Sequence, residues 1–255
     1  MNPKIGDWKG KRVWLIGAST GIGEAAGQYL LELGAQVAFS ARRIEVLERV
    51  AAGSTRAFPI ALDVTDPGSV ARACKTLVAA WGGIDLVLVV AGGYNEMRAD
   101  SFDLAQANKM LDLNLRGVFN CLDAVLPQLL KQGAGGIGIV ASVAGFGGLP
   151  KALVYGPTKA ALINLSESLY LDLHPRGIGV YQINPGFVDT PLTAKNDFHM
   201  PALMSAEDAG AAMIDGIERG QFHIHFPKRF TNSMRLARLL PYPLYFWLIR
   251  KVTGL

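Results

Sequence analysis

The sequence predicts an α/β protein built on a doubly wound sheet of seven parallel strands, with helices on both faces. Three observations lead there. Short apolar runs alternate along the chain with longer segments of helical pattern, and strands separated by helices pair in parallel. The runs are apolar almost throughout, as expected of strands covered on both faces. The first run passes straight into a glycine-rich turn that opens a helix.

The elements follow in order. A strand at 12–16 enters Gly17-Ala18-Ser19-Thr20-Gly21-Ile22-Gly23 and a helix at 24–33. After Gly34 a second strand at 36–40 ends in Ala41-Arg42-Arg43, and a helix at 44–52 and a strand at 56–62 repeat the order. Asp66-Pro67 precedes a helix reaching Trp81, and 84–90 is a strongly apolar fourth strand. A single long helix is expected at 103–131, then a strand at 136–140, a helix at 155–173 and strands at 178–183 and 222–226. Right-handed crossovers wind such a chain into one sheet. Without internal repeats or low-complexity linkers, 1–226 is expected to be a single catalytic domain, and 227–255 a basic, aromatic extension.

Composition narrows the class. Half of the 255 residues are hydrophobic and 18% are charged, which describes a globular chain with a sizeable core. Cys74 and Cys121 have neither metal-ligand spacing nor the density of a disulfide scaffold, so no metal is expected and the compartment is read as reducing. The N-terminus lacks the apolar run of a signal peptide, and no stretch is long enough to span a bilayer. A cytoplasmic location is expected, with peripheral membrane association left open by the C-terminus. The net charge is +4, yet seven Lys or Arg and no Asp or Glu fall from Arg219 onward, leaving −3 for the first 218 residues. Such a basic tail is not the broad basic face of a nucleic-acid-binding domain.

The glycine turn carries the first chemistry. Gly17 permits a tight turn, Gly21 lets the backbone approach a pyrophosphate, and Gly23 lets helix and strand pack closely. Unpaired N–H groups at the helix start then face the phosphates. Plain turns also use glycines, but this cluster ends a strand and opens a helix. An acidic residue ending the second strand would favour NAD. Ser40-Ala41-Arg42-Arg43 stands there instead, and an arginine fork suits a 2′-phosphate, so NADP(H) is preferred with NAD(H) second. The arginines could also be solvated surface, and Asp63 could reach the adenine or cap the next turn.

The second chemistry lies between Ser142 and Lys159. Tyr155 and Lys159 are four apart and share a helical face. An ammonium beside a phenol favours the ionised phenol and makes it a usable proton donor and acceptor. Each residue has a plain alternative: a strand end for Ser142, a core aromatic for Tyr155, a surface charge for Lys159.

Taken together, these residues resemble the short-chain dehydrogenase/reductase family over about 10–226. Gly17 to Gly23 looks like its cofactor motif, with Ile16 where threonine is common. Val90-Ala91-Gly92-Gly93 looks like a variant of its Asn-Asn-Ala-Gly motif. Asn114, Ser142, Tyr155 and Lys159 match its catalytic tetrad, and Asn184-Pro185-Gly186 with Thr190 matches the segment beside the nicotinamide. The resemblance implies a Rossmann-type fold and a cofactor site at Gly17, Ser19, Thr20, Gly21, Ile22, Gly23, Arg42, Arg43, Asp63, Val64, Ala91, Gly92, Tyr155, Lys159, Pro185, Gly186, Val188 and Thr190. It also implies roles. Tyr155 exchanges a proton with the carbonyl oxygen, Lys159 lowers the phenol's pKa and holds the nicotinamide ribose, and Ser142 orients the carbonyl. Asn114 holds a water that relays protons. The missing threonine and asparagines are expected to affect hydrogen bonding between strands more than catalysis. Family members are commonly dimers or tetramers, so a homodimer or homotetramer is implied.

The loop at 190–205 is rich in Phe, Met, Leu and Pro, and Phe146, Leu149 and Phe187 would add apolar walls, so a small hydrophobic ketone, aldehyde or alcohol is favoured as substrate. A 3-oxoacyl-carrier-protein reductase, with the basic tail attracting an acidic carrier, is the alternative within enzymes. A non-catalytic dinucleotide-binding regulator is the alternative outside them. In the tail, a helix is expected at 232–240, followed by Pro241-Tyr242-Pro243 and the apolar run 244–249. A basic, aromatic piece too short to span can lie on an anionic membrane, which makes 228–255 a candidate for peripheral contact. Docking on the body or on a second subunit is the other reading.

Overall fold

The structure, a computed structural model, describes all residues except Lys195, Asp197, His199 and Leu255. Its strands are β1 (Arg12–Ile16), β2 (Gln36–Ala41), β3 (Ala57–Ala61), β4 (Leu86–Val89), β5 (Gly136–Val140), β6 (Gly179–Pro185) and β7 (His223–Phe226). They form one sheet in the order β3-β2-β1-β4-β5-β6-β7, parallel at every pairing. The chain moves outward from β1 to β3 and then crosses back to place β4 on the other side of β1. In an open parallel sheet, the crevice beyond the carboxyl ends of strands at such a reversal is where ligands bind.

The helices are α1 (Gly21–Glu32), α2 (Ile44–Ala51), α3 (Pro67–Trp81), α4 (Leu104–Leu111), α5 (Gly117–Gln132), α6 (Tyr155–Leu173), α7 (Ala206–Glu218), α8 (Lys228–Ala237) and α9 (Tyr242–Thr253). Successive strand side chains point to opposite faces, and β1 shows the result. Trp14 and Ile16 join a core with Leu77 of α3, Val118 of α5 and Leu162 of α6. Val13 and Leu15 join a second core with Leu30 of α1, Leu47 of α2 and Met213 of α7. Fully burying one such aliphatic side chain stabilises by roughly 1.5–3 kcal/mol, so packing on both faces dictates the continuous apolar runs.

Four expectations change. β4 is shorter than 84–90 because Asp85 turns to the first strand, where the Arg12 backbone N–H and Nε donate to its Oδ2 at 2.8 and 2.9 Å. The long helix at 103–131 is divided by a π turn, Asp112–Arg116, between α4 and α5. There the Gly117 N–H reaches back to Asp112 O, and Asn114 turns inward and is fully buried. Helix α7 is not among the elements expected from the sequence. Its buried face includes small residues, Ala209 and Gly210, and a Cβ at Gly210 would stand 2.7 Å from the Ala26 N of α1. The sequence does carry its start signal: Ser205 Oγ accepts the Asp208 N–H at 3.0 Å and donates to the Asp208 carboxylate at 2.8 Å. In the tail, α8 begins at Lys228 and ends at Ala237, earlier than 232–240, and the run 244–249 lies inside α9.

The β7–α8 junction predicts acid sensitivity. Arg235 Nη1 lies 3.2 Å from His225 Nε2, and a guanidinium can only donate, so Nε2 accepts. His225 Nδ1–H then donates to Thr231 Oγ1 at 2.6 Å. Burial, followed by the positive Lys228, pushes the His225 pKa down to about 4, and burial with Arg235 does the same for His223. Below pH 6.5 the unfolded chain takes up protons that the folded chain refuses until near 4, so stability falls as pH falls through that window. Thermal midpoints should therefore drop between pH 6.5 and 5, where most carboxylates are still ionised. His225→Asn should make that slope shallower, leaving the part due to His223, and a midpoint of the intact protein that is constant over the interval would contradict the assignment.

Candidate active site

A cleft of about 600 Å³ opens at the carboxyl ends of β1 and β4. The chain leaves β1 through Gly17, whose φ of 98° is in the left-handed region. A Cβ at Gly17 would run into the Ala91 N, so only glycine lets these two segments meet. A Cβ at Gly23 would meet the Gly17 O, which is the close helix–strand packing read from the sequence. Thr20 is the N-cap residue of α1 but makes no side-chain capping bond, so the first N–H groups of α1 face the cleft without a side-chain oxygen. That is an anion cradle.

Every predicted site residue lines the cleft except Gly23, Arg43 and Asn114. Arg42 is on its wall, whereas Arg43 is the exposed N-cap residue of α2 and drops out of the predicted fork. Asp63 lines it too, with Oδ1 accepting the Thr65 N–H at 2.9 Å and hydroxyl at 2.8 Å. Asn114 acts from behind. Its Oδ1 accepts the Gly93 N–H at 2.7 Å and its Nδ2 donates to Gly93 O at 2.9 Å and to Thr158 Oγ1 at 3.3 Å. The loss of side-chain polarity at Ile16 and Val90 is met by the backbone, since the N–H groups of Val90 and Ala91 both donate to Ile16 O at 2.8 Å.

On the opposite wall α6 presents Tyr155 and Lys159. Lys159 is buried and its Nζ donates to Val140 O at 2.9 Å, beside the end of β5. Ser142 Oγ accepts the Ala144 N–H at 3.1 Å and hydrogen-bonds the Tyr155 phenol. Ser142 does not end a strand: it lies two residues past β5 and caps the short 3-10 turn Val143–Gly145. Phe146 is not a cleft wall: it is buried in the core, edge-on to His223 at 5.9 Å. Phe187 packs against Phe198 and Phe230 at 5.9 and 5.5 Å, and neither it nor Leu149 lines the cleft. From the loop at 190–205, Pro191, Leu192 and Thr193 join Thr190 on the wall. The loop returns by the Val188–Met204 bridge. Its Lys195, Asp197 and His199 lie outside the described residues.

A family model described as short chain dehydrogenase matches residues 11–200. The chain belongs to the short chain dehydrogenase family. An uncharacterized oxidoreductase of Myxococcus xanthus is 37% identical over 236 residues, covering 91% of this chain and 93% of that one. Among solved structures, a short chain dehydrogenase from Burkholderia cenocepacia in complex with NADP superposes with a TM-score of 0.84 at 24% identity, over 95% of this chain and 98% of that one. A 3-ketoacyl-(acyl-carrier-protein) reductase from Brucella melitensis complexed with NADH does so with a TM-score of 0.79 at 24% identity, over 86% and 98%. These two likenesses are of fold. Family and relatives make this protein an NAD(P)-dependent oxidoreductase.

The site fits the nicotinamide dinucleotide of a short chain dehydrogenase: a glycine turn that a Cβ would fill, an uncapped helix start, and a buried cation across the cleft. Its electrostatics differ from the expectation that Lys159 lowers the phenol's pKa. Burial pushes the Tyr155 pKa up, the Ser142 hydroxyl pulls it back, and Tyr94 adds to the rise. Burial also lowers Lys159 to about 8, and its Nζ stands 5.7 Å from the centre of the Tyr155 ring. Two contributors escaped the sequence reading. Tyr94 meets Tyr155 edge-on at 5.2 Å. Thr158, buried one residue before Lys159, donates to Tyr155 O at 2.7 Å and receives the Asn114 amide. Asn184, read only as part of a motif, donates to Ser142 O at 3.0 Å and fixes that residue's backbone.

Proposed function

We propose that this short chain dehydrogenase is an NADP(H)-dependent reductase of small hydrophobic ketones or aldehydes, interconverting them with their alcohols. The observation that carries the reading is the convergence of Tyr155, Ser142 and Lys159 on one wall of the cleft. When bound, the dinucleotide supplies or accepts the hydride. Tyr155 gives a proton to the carbonyl oxygen in reduction and takes it back in oxidation; burial, which raises its pKa, keeps the phenol protonated before the carbonyl arrives. Ser142 orients the same oxygen. Lys159, charged below about pH 8, would hold the ribose hydroxyls of the bound dinucleotide. Asn114 positions Gly93 and Thr158 behind them, and the resemblance assigns it the water that relays protons.

Arg42 supports the choice of NADP(H), with NAD(H) as the weaker cofactor. Charge-assisted hydrogen bonds contribute about 1.5–3 kcal/mol, so Arg42→Ala should weaken NADPH binding roughly tenfold to a hundredfold. NADH binding should stay unchanged, and a parallel loss of both in calorimetric titrations would refute the role. A kinetic screen of NADPH against NADH over a ketone panel tests the whole reading.

Residues 1–226 act in this reading as a single catalytic domain with 227–255 as an extension. Exposed Leu111, Phe119 and Leu130 on α4 and α5 support a homodimer or homotetramer. The free thiols of Cys74 and Cys121 fit a cytoplasmic setting. A 3-oxoacyl-carrier-protein substrate is the second reading, favoured by the basic tail.

A further inference from the structure

The two C-terminal helices leave an apolar surface uncovered. Leu236 of α8 and Leu239 in the turn that follows are 67% and 79% exposed, and Tyr242, Phe246 and Trp247 of α9 are 76%, 52% and 57% exposed. On a helix of 100° per residue, Tyr242, Phe246, Arg250, Trp247, Lys251 and Leu244 fall in sequence around one continuous arc, and all are exposed. The opposite arc holds the buried Tyr245 and the half-buried Leu248 and Ile249, with the exposed Val252 near the end of the helix. Aromatic rings and cations therefore interleave on the outer face. Lys251 Nζ stands 5.0 Å over the Trp247 ring, and Tyr242 stacks on Phe246 at 5.7 Å.

Charge decides the occupant. The segment from Arg219 carries seven cations and no carboxylate, so a second copy meeting this face through the same face would bring cations against cations. An anionic lipid interface supplies the missing charge, and headgroup depth is where Trp and Tyr settle. Among the described residues no helix is long and apolar enough to cross a membrane, so the contact would lie on the surface. Both helices are anchored to segments that run from the cleft wall. Tyr245 OH donates to Gly148 O at 2.9 Å, and a Cβ at Gly147 would meet that hydroxyl at 2.6 Å. Phe230 of α8 packs on Phe187, and a Cβ at the cleft-lining Gly186 would stand 2.9 Å from it.

From these placements we infer that α8 and α9 form a docking face for an anionic bilayer surface, fastened to the two segments that lead from Ser142 and Pro185 at the cleft. An apolar substrate dissolved in the lipid would then reach the cleft without crossing bulk water; that consequence alone rests on the function proposed above.

The test is co-sedimentation of the full chain with vesicles of equal parts phosphatidylglycerol and phosphatidylcholine, beside vesicles of phosphatidylcholine alone. It needs no substrate, so its result is independent of the catalytic reading. The intact protein should bind the anionic vesicles, weaken as salt rises, and bind the neutral ones poorly. Arg250→Glu with Lys251→Glu should weaken binding at least about tenfold, each cation near the surface being worth about 1 kcal/mol. Phe246→Ser with Trp247→Ser should weaken it as well. All four side chains are exposed, so both variants should keep the thermal midpoint of the intact protein, and the salt dependence of the intact protein tests the charge argument without any variant. Absent or salt-insensitive binding would overturn the inference, as would binding that survives both double substitutions. So would an oligomer that both variants dissociate in sedimentation velocity while no vesicle binds, which would make the face a contact between copies of this chain.

Discussion

Tyr155→Phe is expected to remove nearly all carbonyl reduction, about a thousandfold in kcat, while leaving NADPH affinity unchanged. The substitution deletes one oxygen and keeps the ring, including its edge-on contact with Tyr94 at 5.2 Å. Folding should survive, because the phenol interacts with Ser142 alone among the contacts that hold its pKa down. General acids of this kind typically contribute about a hundredfold to ten-thousandfold, and neither Ser142 nor Lys159 replaces a proton donor at that point. Steady-state rates and fluorescence titration with NADPH check the two halves separately. Retention of more than about a hundredth of the activity would remove Tyr155 from the mechanism.

Gly17→Ala is expected to lose cofactor binding and much of the stability together. Two penalties coincide there. The φ of 98° is strained for any residue with a Cβ, and the added carbon would run into the Ala91 backbone and stand 2.6 Å from the Ala91 Cα. Relief requires β1 and the segment after β4 to separate at the point where both Val90 and Ala91 bond Ile16 O. A destabilisation on the order of 3–5 kcal/mol follows. Chemical denaturation measures it, and a stable variant that still binds NADPH would show the turn to be looser than its geometry. Ala at Gly53, which has a similar φ of 85° with nothing near its Cβ position, is the control for conformational strain without collision.

The seven strands were legible because parallel strands buried on both faces are apolar at successive positions, as in Val13 to Ile16. The glycine turn and the Tyr155–Lys159 pair were legible because their chemistry depends on spacing along one element. What depends on contacts between elements was not. Phe146 reads as a pocket aromatic beside Ser142, yet the 3-10 turn swings it into the core against His223. The inward turn of Asn114 toward Gly93 and Thr158 accompanies a break in a helix that reads as continuous. Small residues facing α1 hide the apolar period of α7. Arg42 and Arg43 are neighbours in sequence, but the end of β2 gives only the first to the cleft. The direction of the Tyr155 pKa also needed the fold, because burial, invisible in a spacing, outweighs the Ser142 contact.

The central claim is hydride transfer to an apolar carbonyl with Tyr155 as the proton donor. Its most direct measurement follows deuterium from labelled NADPH into the alcohol formed from a panel of apolar ketones and aldehydes, with Tyr155→Phe run alongside. Label should appear in product with the intact enzyme, faster from NADPH than from NADH, and almost none should appear with the variant. An intact protein that binds NADPH tightly yet passes label to no member of the panel from either cofactor, or a Tyr155→Phe variant that passes it at the full rate, would contradict the account.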